Sequence, residues 1–312
     1  MWVSLALLAL GVLIAVVAPR LLARADWPER EPIVALWVWQ CAVAAVLLSF
    51  ALSMTFSAAA AWQAVRGRVF APVPAAVVEA YALGALGPWA GTLAVLLACG
   101  GLWTGAMLTR EVRGAWTRRR RQRAELLVRA PLLPGEETGT GPLVLLEGDR
   151  PGAWWLPGAR PQLLITTAAL RRLKGRQLDA VLAHEQGHAR ARHDWLLHCA
   201  AALAEGFPRV PVFAAFRAEM HRLVELAADD SASKRFGRLT IALALVGLNE
   251  DRGVFGPCPT PHHTHVPQRV NRLLTAAPRL TPGRRLRLTA AAALVPAAPL
   301  LVALAPGLSA LT

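Results

Sequence analysis

Val181-Leu182-Ala183-His184-Glu185-Gln186-Gly187-His188 is the stretch on which the reading of this chain turns. It carries the pattern H-E-x-x-H inside a run, residues 176–204, whose apolar positions recur at the spacing of a long amphipathic helix. On a helix, positions i and i+4 lie one turn apart on the same face, so the imidazoles of His184 and His188 can converge on one metal ion. Glu185 sits beside that face, where its carboxylate can reach a water next to the metal without taking a coordination position, as a general base must. Two histidines on a solvated face would be the bland alternative. It fits poorly with Val181, Leu182 and Ala183 just before them, because unpaired buried imidazoles are costly. The expected cofactor is therefore one catalytic Zn2+, with a third protein ligand and an open fourth position.

That third ligand has two possible origins. Extending the motif to H-E-x-x-H-x-x-G-x-x-H puts Ala191 at the glycine and Asp194 at the last-ligand position, with His193 one residue out of register. A left-handed reversal at Ala191 is unfavourable without glycine. The second origin is a downstream helix, expected over residues 213–236, which offers Glu225-Leu226-Ala227-Ala228-Asp229. Its two acids share a face at i and i+4. Glu225 could bind the metal, and Asp229 could accept a hydrogen bond from the free ring nitrogen of a ligating histidine. Taken alone, the pair could equally be a solvated acidic patch with Asp230.

Working outward, the chain is too apolar for an ordinary soluble protein: 55% of its 312 residues are hydrophobic, alongside a net charge of +14. Four spans are expected, at residues 2–23, 34–56, 84–108 and 288–308, the last containing Pro296, Pro299 and Pro306. A cleaved signal peptide is the rival for the first, but no basic residues precede its apolar run. Arg110, Arg113, Arg118, Arg119, Arg120, Arg121 and Arg123 follow the third span, and such a cluster is expected on the cytoplasmic side. The N-terminus then lies outside. The expected division is residues 1–109 for three spans, 110–123 for a basic linker, 124–279 for a cytoplasmic metallopeptidase domain and 280–312 for the last span. The localisation is a multi-pass cell-membrane protein. Topology accounts for the arginines, and they lack the interleaved aromatics of a nucleic-acid surface, so the lipid bilayer is the expected partner and nucleic acid is not. Cys41, Cys99, Cys199 and Cys258 are scattered and imply no disulfide framework.

Within residues 124–279, the runs 143–147, 153–156 and 162–166 alternate with turn-rich segments and suggest a small antiparallel meander. The fold class expected is mainly α: transmembrane helices plus a peptidase domain containing a small antiparallel sheet. His262, His263 and His265 form a polar cluster beside Pro261 and Pro267, read as a flexible loop, with His265 as a substrate contact the weaker reading. His193, His198 and His221 read as helix-end, metal-supporting or surface residues, and Arg222 as a partner for a carboxylate near the metal.

The combination of His184-Glu185-x-x-His188 with Glu225-x-x-x-Asp229 resembles the gluzincin membrane peptidases. It looks most like peptidase family M56, the membrane antirepressor proteases, and next like family M48, the Ste24/HtpX-like peptidases. Trp155-Leu156-Pro157-Gly158-Ala159-Arg160, Arg192-His193, Arg222 one turn before Glu225, and Arg269-Val270-x-Arg272-Leu273-Leu274 add to the likeness, which covers residues 142–274. The resemblance implies zinc held by His184, His188 and Glu225, Glu185 as base, Asp229 as the carboxylate behind a ligand, and peptide-bond hydrolysis as the reaction. It implies a protein or peptide substrate, a transcriptional repressor or a membrane protein, cleaved in signal transduction. The M48 likeness implies instead membrane-protein quality control. A zinc-binding sensor or scaffold without turnover is the reading from another class, and the intact Glu185 speaks against it. With little chain after the fourth expected span, no extracellular penicillin-binding domain is expected, and sensing would fall to a separate partner.

Overall fold

Alanine, valine and leucine dominate Trp2–Ala23 and Pro32–Arg66, and in a computed structural model of the chain both stretches are helices, α1 and α3, joined by the short α2 (Trp27–Arg30). The structure describes residues 2–66, scattered residues between 95 and 124, residues 137–156 apart from 139, 140 and 150, and residues 162–249, 266–275 and 278–309. The third expected span and the arginine cluster after it lie mostly outside the described residues, as do His262, His263 and His265.

Helices α1 and α3 run antiparallel: the Ser53 hydroxyl donates to the Ser4 carbonyl at 2.8 Å, and Gly11 meets Ser49 two turns further along. Both are long and apolar enough to cross a membrane. Helix α3 continues past the expected end at residue 56, because the alanines that follow Ser57 are strong helix formers and no breaker precedes Gly67. At ~1.5 Å per residue it outruns a ~30 Å hydrocarbon core. The surplus at its start is embedded in protein, where Val34, Ala35, Trp39 and Val43 are buried. The fourth expected span is two helices, α10 (Pro282–Leu294) and α11 (Ala297–Ser309), bent by 45°. The break falls at Val295-Pro296, where proline lacks the N–H that would continue the ladder.

Four strands, β1 (Glu137–Thr138), β2 (Gly141–Leu146), β3 (Ala153–Leu156) and β4 (Gln162–Thr166), form one sheet in the order β1-β2-β4-β3. This corrects the antiparallel meander: β2 pairs parallel with β4, and β3 antiparallel with it. The physical reason lies in two hydroxyls. Gly148 and Gly152 donate their N–H groups to Thr167 Oγ1 (3.2 Å) and Thr166 Oγ1 (3.0 Å), so the connecting loop arches over the end of β4. The chain thus crosses β4 instead of folding back along β2, and β3 becomes an edge strand. Thr166 also caps α4 (Thr167–Arg172), accepting the N–H of Ala169.

The long helix expected over residues 176–204 is two helices, α5 (Arg176–Arg190) and α6 (His193–Gly206). Between them Arg192 adopts the left-handed conformation (φ 51°), and Asp194 in the first turn of α6 complements the new helix start. Pro211 opens α7 (Pro211–Phe236), and Gly237 at φ 84° closes it before α8 (Arg238–Asn249) and α9 (Val266–Thr275).

One core joins the long apolar helices to the rest. Phe213, Phe216, Met220 and Val224 of α7 pack with Leu36, Trp39 and Val46 of α3 and with Leu196, Ala200 and Leu203 of α6. Each fully buried side chain of this size contributes on the order of 2 kcal/mol. The apolar section 195–203 buries one face here, through Leu196, Ala200, Ala202 and Leu203, while Trp195 stays 65% exposed. A second cluster, with Ala180, Ala232, Ile241, Leu245, Val270 and Leu273, holds α5, α7, α8 and α9 together.

Candidate metal centre

Helices α5 and α7 cross at small residues: Gly187 faces Ala228, and a Cβ at Gly187 would lie 3.5 Å from the Ala228 Cα. That approach sets His184 and His188, three residues before and one after Gly187, against Glu225, three residues before Ala228. Among the described residues, the group able to hold a metal ion is His184, His188 and Glu225, with one donor atom from each within 4.8 Å of the others. His184 Nε2 lies 3.2 Å from His188 Nε2 and 3.5 Å from Glu225 Oε2, and His188 Nε2 lies 3.5 Å from Glu225 Oε1. Three corners of a tetrahedron around zinc, with ligands at ~2.0–2.1 Å, are separated by about 3.3 Å. The donor set and its spacing therefore fit a two-histidine, one-glutamate zinc site. Asp194, the rival third ligand, lines the same cleft but is not in this group.

Behind the donors stand two further charged groups. Asp229, fully buried, has Oδ1 at 3.1 Å from His184 Nδ1. Arg269 of α9 bridges the acids, with Nη1 at 2.7 Å from Glu225 Oε2, and with Nε and Nη2 donating to Asp229 at 2.8 and 2.7 Å. Sequence reasoning gave Arg269 no role, although the signal was present: it shares the apolar face of α9 with Val266, Val270 and Leu273, and a buried arginine requires acids. Arg222, expected near the metal, is a correction. Its guanidinium points away from the two histidines and pairs with Glu219 (2.9 Å) and with Glu29 of α2 (3.1 Å). Position 222 is on the face that α2 covers, while Arg269 reaches the metal-side acids from a different helix.

Glu185 lies on the same cleft, and its Oε2 accepts the N–H of Trp155 from edge strand β3 at 3.1 Å. Burial pushes its carboxyl up to about 7. Burial opposes charge on His184 too, but hydrogen bonds to Asp229 and Glu225 outweigh it and lift the ring to about 10 in the metal-free protein. His188 has no such carboxylate behind it, and burial drives it down to about 3. Glu225 and Asp229 are held below the usual carboxylate range despite their burial, chiefly by Arg269. His193 is buried and sits against His188, while His198 Nδ1 lies 2.7 Å from the Asp194 carbonyl. The cleft is about 1060 Å³, bounded by β3, α5, α6, α7, α8 and α9, with His221 in its wall.

Comparisons with known proteins bear on this arrangement. A sequence model of peptidase family M48 matches residues 119–277, a little over half of the chain. The match falls on the second of the two families that the residues resemble and not on M56. Among solved structures, the crystal structure of Ste24p from S. mikatae is similar with a TM-score of 0.34 at 12% identity, covering 87% of this chain and 97% of that one. Comparison with curated proteins finds no match.

Proposed function

Since the chain belongs to peptidase family M48, a family of metallopeptidases, we propose that it is a membrane-embedded zinc endopeptidase in which His184, His188 and Glu225 hold the ion and Glu185 moves the proton. The observation that carries the reading is the meeting of two imidazoles and one carboxylate, the ring nitrogens 3.2 Å apart and each 3.5 Å from a Glu225 oxygen, beside one further carboxyl that is not among them. When bound, zinc supplies Lewis acidity toward a peptide carbonyl and brings the pKa of water to ~7.

The chain's own groups do the rest. Glu185, whose carboxyl burial raises in the zinc-free protein, stands where it can take a proton from the attacking water and deliver it to the leaving amine. The Trp155 N–H steers the Glu185 carboxylate from the edge strand. Asp229 orients His184 through Nδ1, and Arg269 fixes Glu225 and Asp229 relative to each other.

The proposed orientation places residues 124–279 on the cytoplasmic face of a multi-pass protein, supported by the arginines after the third expected span and by Arg24 and Arg30 between α1 and α3. The proposed substrate is a regulatory or membrane-associated polypeptide. The core that the peptidase helices share with α1 and α3 supports the membrane-associated kind, because it keeps the cleft close to the bilayer. The test is to trap cellular substrates on Glu185→Gln protein in membranes and then to expose them to wild type. Wild type should cleave the trapped polypeptides and Glu185→Gln should leave them whole; equal cleavage by both would remove the mechanism.

A further inference from the structure

His193 is a buried side chain that the chemistry above leaves unused. It is 4% exposed, its Nδ1 lies 3.0 Å from His188 Nδ1, and the two rings meet edge-on at 82° with centroids 4.9 Å apart. Its place is set by the turn before it. Arg192, the non-glycine residue with positive φ among the described residues, takes a conformation that L side chains rarely adopt, and the chain re-enters a helix at His193. An unusual backbone that delivers a buried polar ring to one specific neighbour points to a role toward that neighbour.

The role follows from which nitrogen of His188 is spoken for. Its Nε2 faces the other donors, 3.2 Å from His184 Nε2 and 3.5 Å from Glu225 Oε1. An imidazole that offers its Nε2 lone pair to a metal is neutral and carries its proton on Nδ1. That proton has His193 Nδ1 in front of it. The bond forms if His193 is itself neutral with its proton on Nε2, and is blocked if both Nδ1 atoms carry protons. We propose that His193 is the positioning residue of His188: it accepts the Nδ1 proton, fixes the tautomer, and aims Nε2 at the metal. His193 thus does for His188 what Asp229 does for His184, with one difference. Glu185, Glu225 and Asp229 already bring three acids to the centre, and a neutral ring supplies an acceptor without adding a fourth negative charge.

The proposal rests on the zinc reading of His184, His188 and Glu225, and its test separates the two. Zinc affinity is measured by chelator competition on the full chain in detergent micelles, for wild type, His188→Ala, His193→Asn and His193→Phe. Asparagine presents an amide oxygen where the Nδ1 acceptor stood but fills the space poorly; phenylalanine fills the space and accepts nothing. The expected result is that His193→Phe weakens zinc binding about 10- to 100-fold while His193→Asn stays within about threefold. A packing role predicts the reverse order. Wild-type affinity in His193→Phe, or an equal loss in His193→Asn, overturns the proposal and leaves the metal centre standing. Failure of wild type to bind zinc, or of His188→Ala to weaken it, removes the centre and the proposal with it. Histidine nitrogen chemical shifts of the zinc-loaded wild type give a second readout that needs no variant: the proton is expected on His188 Nδ1 and His193 Nε2, and a proton on His193 Nδ1 would sink the assignment.

Discussion

Asp229 and Asp230 are neighbours in α7, and both are buried, at 0% and 6% exposure, yet they point in directions about 100° apart and meet different arginines. Asp229 faces His184 and takes two hydrogen bonds from Arg269. Asp230 takes two from Arg272 at 2.9 and 3.0 Å and a third from Arg279 at 3.2 Å. The arginines mirror the acids, since Arg269 and Arg272 are three residues apart in α9. Arg272 also donates through Nε to the Glu29 carbonyl at 2.6 Å, so the second cluster ties the peptidase helices to α2, the link between the two long apolar helices. Residue type and burial are the same in the two places. What separates the proposed metal centre from a clamp is the presence of histidine donors beside one acid and their absence, among the described residues, beside the other.

Removing a donor should break the comparison most clearly. His184→Ala or Glu225→Ala is expected to weaken zinc binding by more than about 100-fold, while Asp230→Asn stays within about threefold, as read by chelator competition. A comparable loss in Asp230→Asn would mean that the two clusters act as one unit. Next in size is Arg269→Met, which strips the guanidinium from the buried Asp229 and the partly exposed Glu225 and should cost the zinc-free protein about 3 kcal/mol in unfolding. Zinc brings positive charge to the same acids, so saturating zinc should recover part of that loss; no recovery would argue that Glu225 is not a ligand. Asp230→Asn keeps an acceptor for the arginines but loses the charge, and about 1.5 kcal/mol is expected, with or without zinc.

A pH series sharpens the metal side alone. Below about 10, His184 is protonated in the zinc-free protein, because the Asp229 and Glu225 carboxylates overcome the opposing effect of burial. A ligand imidazole is neutral, so uptake must expel that proton. Between pH 7 and 9 the affinity should therefore rise about tenfold per pH unit, and Asp229→Asn should flatten the slope. A flat profile in wild type would contradict the His184–Asp229 pairing.

How much of this is legible in the sequence differs between the two sides. His184, Glu185 and His188 announce themselves because one helical turn is a fixed distance, and Glu225 follows once a second carboxylate-bearing helix is sought. The break at Arg192 is hidden, since apolar spacing continues through it and a left-handed residue leaves no mark unless it is glycine. The crossing loop of the sheet is hidden for a different reason: it depends on the Thr166 and Thr167 hydroxyls meeting two glycines in space. Arg222 and Arg269 exchange places because proximity in sequence to Glu225 is not proximity to its carboxylate. Arg222 precedes Glu225 by three residues yet points toward Glu29, whereas Arg269 arrives from 44 positions away.

The smallest effect expected tests what holds α2. Glu29 is 63% exposed and Arg222 19%, and an exposed pair of this kind is worth about 0–1 kcal/mol. A double-mutant cycle of Glu29→Ala with Arg222→Ala, read by unfolding, should therefore give a coupling below about 1 kcal/mol that fades in high salt. The stronger attachment is Arg272, which reaches the backbone carbonyl of Glu29 and so survives loss of the Glu29 side chain. Arg272→Ala should for that reason cost more than the Glu29 and Arg222 substitutions together, because it also strips Asp230 of a two-pronged partner. If the cycle instead returned a coupling above about 2 kcal/mol, the side-chain pair would be the tie, and the clamp would sit on the surface rather than around Asp230.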